Sequence, residues 1–520
     1  MFDLNSISIK NLRSLKDTGE IDIKPITILV GKNSVGKSTF LRSFPLLRQS
    51  CEKKTRSPIL WYGNLVDFGE FQNSLNRDSA RNIENSYIEF GFNLSVGKPF
   101  RYLVHEYNNE PFSINVKLQI KENNKTSYAS KLCINFLEND LVLNLNNNQE
   151  FDSINFNGNS YNNDFLANKN CKIRIFTRKI LPALQISRTY RMKDHKIEYE
   201  KEVNLFSELL DSEIKKLCRN NVKEETVEAL IKNIPFSDKS SIYNYLTNQS
   251  LISSLGKKIR KNGVDHEVFT LINNYFILSK LQELILYIDE GLSNSYSSVR
   301  YLEPLRATAQ RYYRRQELAI DEIDSKGSNI AMFLDSLNQS EKQNLNKVLS
   351  DNFNIELNIK RESGHLALTI KTPDLKEDTN LADLGVGYSQ ILPFIIQMWD
   401  INNYKRGNKH KSLGLFRTQQ KSYFVVEQPE LHLHPAYQAK IADVIDKILD
   451  KSKLNVVIET HSPHLIYRFG ELIEENNSNI SKHDIQVLIF EEINGETKIR
   501  KSVFDDEGRL QNWPIGFFQP

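Results

Sequence analysis

Gly31-Lys32-Asn33-Ser34-Val35-Gly36-Lys37-Ser38 fits the pattern G-x-x-x-x-G-K-[ST] at every position, with Thr39 next in line. Glycines at both ends of such a loop let the backbone curl, so that the N–H groups around Asn33, Ser34 and Gly36 converge on one anion. A lysine closing the curl supplies a cation for β- and γ-phosphates, and the Ser38 hydroxyl supplies a ligand for Mg²⁺. A plain glycine turn beside an unrelated lysine would share these residue types. Context separates the two readings: Ile26 to Val30 before the loop is an apolar strand candidate, and Phe40-Leu41-Arg42 after it opens a helical stretch. Strand, loop and helix in that order are what a phosphate cradle requires.

A triphosphate site also needs carboxylates. Tyr423-Phe424-Val425-Val426-Glu427 is an apolar strand candidate ending in an acid, which makes Glu427 the expected metal-side carboxylate. Gln428 follows, at the position where a second acid would polarise the attacking water. An amide orients a water but cannot take its proton, so hydrolysis is expected to be slow, with Glu430 the nearest substitute base. Glu430 reads equally as an acid in the first turn of a helix near Leu431. Val456-Val457-Ile458-Glu459-Thr460-His461-Ser462 is another apolar strand ending in polar residues, and His461 stands where a side chain could sense a γ-phosphate. His432 and His434, spaced i and i+2, have no third ligand at workable spacing, so packing or an intersubunit contact is their expected role.

These residues must be positioned by a large fold. The chain has 520 residues, enough for about three domains or one with insertions. Its 39% hydrophobic content excludes a disordered chain, and a net charge of +3 excludes a wholly basic nucleic-acid coat. Cys51, Cys133, Cys171 and Cys218 are scattered, which signals neither a zinc ribbon nor a disulfide framework and fits a reducing, cytoplasmic setting. Met1-Phe2-Asp3-Leu4-Asn5 lacks the basic and apolar regions of a signal peptide. The most apolar stretch, Ile391 to Trp399, contains Pro393 and Gln397 and falls short of the ~20 residues a spanning helix needs, so no membrane segment is expected.

Four regions follow from the patterning. Residues 1–80 carry strand pieces (Ile7, Ile9; Ile21, Ile23) and the phosphate loop. Residues 81–200 alternate as in Tyr87-Ile88-Glu89-Phe90, with turns such as Asn146-Asn147-Asn148, and predict an antiparallel β extension. Residues 201–300 show helical spacing (Leu210, Ile214, Leu217; Leu278, Leu281, Ile285, Ile288), broken by Pro235, Gly256 and Gly263. Those breaks predict a compact helical insertion rather than a coiled-coil arm. Residues 301–520 alternate short strands with helices such as Tyr437 to Leu449, so a parallel α/β sheet is expected to be completed far from its start.

The order of Gly31 to Ser38, a long insertion, Asn380 to Gln390, Glu427 to Pro435 and Thr460-His461-Ser462 resembles the ABC-class ATPase heads of SMC-like and OLD-like (overcoming lysogenisation defect) proteins. The resemblance implies an α/β P-loop NTPase head of ABC class, with ATP and Mg²⁺ as cofactors. Asn11-Leu12-Arg13-Ser14-Leu15 is similar to the strand motif before the phosphate loop, which would bring Arg13 near the nucleotide. Asp67-Phe68-Gly69-Glu70-Phe71-Gln72 is similar to the Q-loop region, which implies Gln72 on the metal side. Leu384-Gly385-Val386-Gly387-Tyr388-Ser389-Gln390 resembles the class signature that one subunit presents to ATP held by the other, with Gly387, Ser389 and Gln390 as candidate contacts. As residues alone, that segment is also a loop-to-helix cap.

Tyr301-Leu302-Glu303-Pro304-Leu305-Arg306, the Glu427 to Pro435 string, and the tail from Phe504 to Leu510 with Trp513-Pro514 and Gly516-Phe517-Phe518 are similar to a narrower bacterial subgroup. It comprises AAA-type, OLD-like ATPases that include the ATPase subunits of Septu-type and retron-associated antiphage systems. Gln at position 428 recurs in that subgroup. The resemblance implies a homodimer of ATP-sandwiched heads, a separate HNH-type nuclease subunit, and DNA or a retron-like RNA as partner. OLD proteins proper carry a Toprim nuclease after the ATPase, and the stretch after His461 is too short for one. A DNA repair or chromosome-maintenance head is the alternative; the long gap between loop and signature disfavours a transporter motor.

Overall fold

The computed structural model describes residues 2–81, 86–97, 111–191, 198–219, 222–249, 252–316, 318, 320–373, 377–403, 421–451, 453–475 and 478–513. Of the tail that carried part of the resemblance, Pro514 and Gly516 to Phe518 lie outside these residues.

The strand Ile26–Gly31 is apolar on both faces and buried throughout, which is the mark of a strand covered on two sides. It sits in the middle of a seven-stranded sheet of order Val299–Leu302, Ser422–Glu427, Leu454–Glu459, Ile26–Gly31, Ile485–Ile493, Glu496–Phe504 and Leu510–Gln511. The first five are parallel and the last two return antiparallel. A strand from the start of the chain is thus flanked by strands from its end, with Ile28 between Ile458 and Val487. This is the split sheet that the patterning predicts.

Side chains alternate across this sheet with period two. Ile26, Ile28, Val30, Phe424, Val426, Val456 and Ile458 face a core shared with the helices Val386–Asn403, Pro435–Ile448 and Pro463–Glu474. Leu29, Tyr423, Val425, Val457 and Phe490 face the opposite core, with the helices Lys37–Glu52 and Leu281–Ser297. Phe44 of the first helix meets Tyr296 of the second and Tyr423 of the sheet. The last helix of the region expected to be an insertion therefore packs directly on the helix that follows the phosphate loop.

The β extension is a nine-stranded sheet with every pairing antiparallel. Its member Phe2–Leu12 pairs with Ile88–Val96, so the first strand belongs to this sheet and not to the one that holds the phosphate loop. The Asn146 to Asn148 turn joins Asn139–Leu145 to Phe151–Phe156, with the Asn146 side chain accepting from the backbone N–H groups of Asn148 and Glu150. Cys171–Thr177, Pro182–Arg191 and Glu198–Glu202 form a separate three-stranded sheet.

Among the described residues, six helices lie between Leu205 and Ser297. Pro235 falls between two of them, and Gly263, at φ +88°, caps Ser253–Asn262. Gly256 does not break a helix, contrary to expectation. It lies inside Ser253–Asn262, where a Cβ would come within 2.6 Å of the Thr247 carbonyl oxygen, so it permits close helix approach. No helix among the described residues is long and apolar enough to cross a membrane.

Candidate functional site

The phosphate loop leaves its strand at Gly31, whose φ of +149° brings its α-carbon against the neighbouring strand: a Cβ there would lie 2.4 Å from the Phe490 carbonyl oxygen. Gly31→Ala is therefore expected to lower unfolding free energy by about 2–4 kcal/mol. Denaturant titration measures this, and a change below about 0.5 kcal/mol, the range of an inert substitution, would contradict the close approach. At the other end Gly36, at φ +99°, caps the helix Lys37–Glu52. No side chain caps that helix and no acid lies in its first turn, so its leading N–H groups are free for an anion. Between the glycines, Ser34 holds φ +67°, which turns the curl that Lys32, Asn33 and Val35 complete.

Lys37 is buried and donates to its own loop, to the Gly31 carbonyl at 3.0 Å and the Lys32 carbonyl at 2.7 Å. Burial lowers its pKa, and Glu459, whose Oε1 is 3.8 Å from Nζ, works against that. Ser38 donates to the same Glu459 Oε1 at 3.0 Å. Thr39 follows in the first turn of the helix.

Parallel pairing sets Glu427 beside Glu459 at the ends of adjacent strands. Their surroundings differ. Arg42, one turn beyond Ser38 on the loop helix, grips Glu427 with both arms, Nε to Oε1 at 2.7 Å and Nη2 to Oε2 at 2.8 Å. Tyr301 adds its hydroxyl to Oε1 at 2.6 Å. Hydrogen bonding to Glu427 raises Arg42, and burial raises Tyr301. Glu459 is 3% exposed, its pKa is raised by burial, and its Oε2 has no partner.

Gln428 turns the chain out of its strand at φ +41°, with its N–H on the Glu459 carbonyl at 2.8 Å. Glu430 is not in the first turn of a helix, because the next helix is Pro435–Ile448 and its cap is His434, whose Nδ1 accepts from Ala436 N–H at 3.3 Å. Instead Glu430 Oε1 accepts the His461 N–H at 2.7 Å, which ties the two strand-end turns together. Burial raises its pKa, and Oε2 is unpartnered. His461 is shifted down by burial and then by the nearby charge of Lys37, so the neutral imidazole prevails at neutral pH beside the loop.

Arg13 lies near Arg42, whose charge adds to burial in lowering its pKa. It is held at φ +49°, stacked 4.2 Å over Phe68, and donates to the Asp67 carbonyl. Gln72 is exposed and bonds Glu122 of the β extension at 2.6 Å, so it is not brought to either strand-end acid here. Gly387 is the second residue of the helix Val386–Asn403, and a Cβ there would lie 3.6 Å from the His432 carbonyl oxygen and from Leu433. Ser389 bonds back to the Val386 carbonyl at 2.7 Å. Gln390 is buried and donates to the Arg306 carbonyl at 3.3 Å, which points it into the protein. Among the described residues, no group of three or more His, Cys, Asp or Glu disposed for a metal includes His432 or His434.

Sequence reasoning missed Arg42, Tyr301, Arg306 and Glu459 as parts of the site. Arg306 is buried, donates to the Glu427 carbonyl at 3.3 Å and leaves Nε and Nη1 unpartnered. Burial pulls it down to about 10 against the pull of Glu430 and Glu427. Glu459 was legible as an acid ending a strand, a signal that its neighbour His461 eclipsed.

The donor set suits a nucleotide phosphate and a divalent cation: a curled glycine loop, a lysine hydrogen-bonded to loop carbonyls and paired with Glu459, a hydroxyl, and a buried carboxylate oxygen without a partner. Three solved structures align over nearly the whole chain at low similarity. The Smc head domain of Pyrococcus furiosus with an extended coiled coil, bound to the C-terminal domain of ScpA, is 10% identical with TM-score 0.32, covering 96% of each chain. An SmcHead bound to the C-winged helix domain of ScpA is 10% identical with TM-score 0.34, covering 96% of this chain and 97% of that one. The SMC head domain of Thermotoga maritima is 9% identical with TM-score 0.33, covering 96% and 98%. No curated protein matches the chain. A family model described as AAA ATPase domain matches residues 2–466, from the first strand through His461, and the chain belongs to that family.

Proposed function

We propose that this chain binds ATP with Mg²⁺ as an ABC-class head. Two heads close on each other, each phosphate loop facing the partner copy's Gly385 to Gln390 segment. In the cytoplasm they serve as the slowly hydrolysing ATPase subunit of a bacterial antiphage complex that controls a separate nuclease. One observation carries the nucleotide reading: three adjacent strand ends bring Lys37, Ser38, Glu427, Glu459 and His461 to one place. The defence role rests on the Tyr301 to Arg306 string, the Glu427 to Pro435 string and the tail.

In this reading the loop N–H groups and Lys37 bind and orient the phosphates, and Ser38 with a strand-end carboxylate holds Mg²⁺. Bound there, the cation would neutralise phosphate charge. Neutral His461 can sense the γ-phosphate through a hydrogen bond, and its backbone link to Glu430 passes its position to the Gln428 turn. Gln428 orients a water without accepting its proton, which makes the bound state long-lived. Gln428→Glu supplies that acceptor and is expected to raise ATP turnover about tenfold or more in a phosphate-release assay. Unchanged turnover would mean that position 428 does not limit the chemistry.

The role is tested by purifying the tagged protein from its native cells in ATP and Mg²⁺, followed by mass spectrometry and nucleic-acid staining. A co-purifying small nuclease, with or without a structured RNA, is the expected result. Recovery with DNA alone, binding that collapses as salt rises, would replace the defence role with chromosome maintenance.

A further inference from the structure

The small three-stranded sheet has an open edge. Cys171–Thr177 pairs antiparallel with Pro182–Arg191 and with no other strand among the described residues. The Thr189 N–H donates to the Asn170 carbonyl, and the alternation of an antiparallel ladder then turns the backbone groups of Lys172, Arg174 and Phe176 towards Pro182–Arg191. Those of Ile173 and Ile175 point the other way and meet no backbone partner among the described residues. Beside them lies a cleft of about 1100 Å³, with Cys171 to Ile175 on one wall and Asn146, Glu150 and Phe151 on the other. A small-molecule pocket takes roughly 300–1,000 Å³, so the cleft suits a length of chain.

The charge of the edge says what kind of chain. From Lys169 to Lys179 the sequence carries Lys169, Lys172, Arg174, Arg178 and Lys179 and no acid. Glu150 lines the far wall and Glu200 bridges Arg174 at 2.8 Å, which leaves the cations in excess. The two faces differ: Lys172 and Arg174 are exposed on one, and Ile173 and Ile175 are half-buried on the other. Like charges keep a second copy of this strand away. The acidic edge Glu198–Glu202 of a second copy would carry two further strands of its own sheet towards the wall at Asn146 to Phe151, whereas a free segment ends with itself.

We propose that this edge takes up, as a fourth strand, an extended segment of a partner protein in which acidic and apolar residues alternate. The backbone groups of Ile173 and Ile175 supply its hydrogen bonds, Lys172 and Arg174 meet its acids, and the two isoleucines meet its apolar residues. No residue of the phosphate site lines the cleft, so the proposal stands apart from the nucleotide reading.

The test is fluorescence anisotropy of the full chain with a labelled seven-residue peptide alternating glutamate and valine, beside a lysine–valine peptide and an oligothymidylate. Saturable binding of the acidic peptide alone is expected. Ile173→Pro removes an outward N–H at an edge position where proline leaves the native ladder intact, and should weaken binding about tenfold or more. Lys172→Glu should do the same at low salt, and Ile173→Val should change little. Peptides N-methylated on all valines or on all glutamates test the backbone bonds without altering the protein, and one of the two should fail to bind. Each of four results overturns the proposal. These are no binding of the acidic peptide to wild type, binding indifferent to Ile173→Pro and to both methylations, preference for the oligothymidylate, and self-association in ultracentrifugation that Ile173→Pro abolishes, which would give the edge to a second copy.

Discussion

Lys37→Ala is expected to lower ATP affinity by about 30-fold to several thousandfold, the equivalent of about 2–5 kcal/mol for removing one partner of a buried charged contact. The ammonium is buried and is bonded to two carbonyls of its own loop, Gly31 and Lys32. Those bonds hold the cation at the mouth of the curl, where phosphate oxygens are stronger acceptors than carbonyls. Burial already disfavours its charge, with Glu459 alone opposing that, so an arriving anion is stabilising on both counts. Calorimetric titration measures the loss. An affinity within about threefold of wild type, under 1 kcal/mol, would show that the lysine is a structural part of the loop and no phosphate ligand.

The second large effect falls on stability. Arg42→Ala removes both arms from Glu427, which is left with the Tyr301 hydroxyl in a buried setting. Breaking a fully buried pair costs about 3–5 kcal/mol, and because the Arg42 side chain is 34% exposed the lower end, about 3 kcal/mol, is expected. Glu427→Ala strands Tyr301 and Arg42 instead and should cost a similar amount, while the double variant should cost much less than the sum. Denaturant unfolding of the four proteins measures the coupling. Additive losses would show that the two residues act independently and that the grip contributes little.

The loop and its flanking strand and helix were legible because the whole motif is contiguous: Gly31 to Ser38 carries its chemistry in one stretch of chain. The split parallel sheet was legible for a related reason, since apolar runs such as Tyr423 to Val426 and Val456 to Ile458 identify strands buried on both faces. What local pattern does not contain is strand order. Two strands end in an acid, and only the sheet reveals that the one ending at Glu459 lies next to the loop. Arg42 reads as an ordinary helix residue until the fold brings Glu427 to it from the far end of the sequence. Glu430 follows the same logic. An acid shortly before a helix resembles a cap, yet the helix waits for Pro435 and the carboxylate instead binds a backbone N–H of the adjoining turn at His461. Gly256 misled because glycine usually marks a break, and here it marks a close approach to Thr247.

The measurement closest to the central claim is equilibrium dialysis of the full chain against radiolabelled ATP in Mg²⁺. One phosphate loop with its strand-end acids predicts saturable binding of about one ATP per chain, displaced by unlabelled ATP. The absence of saturable binding would contradict the account at its root.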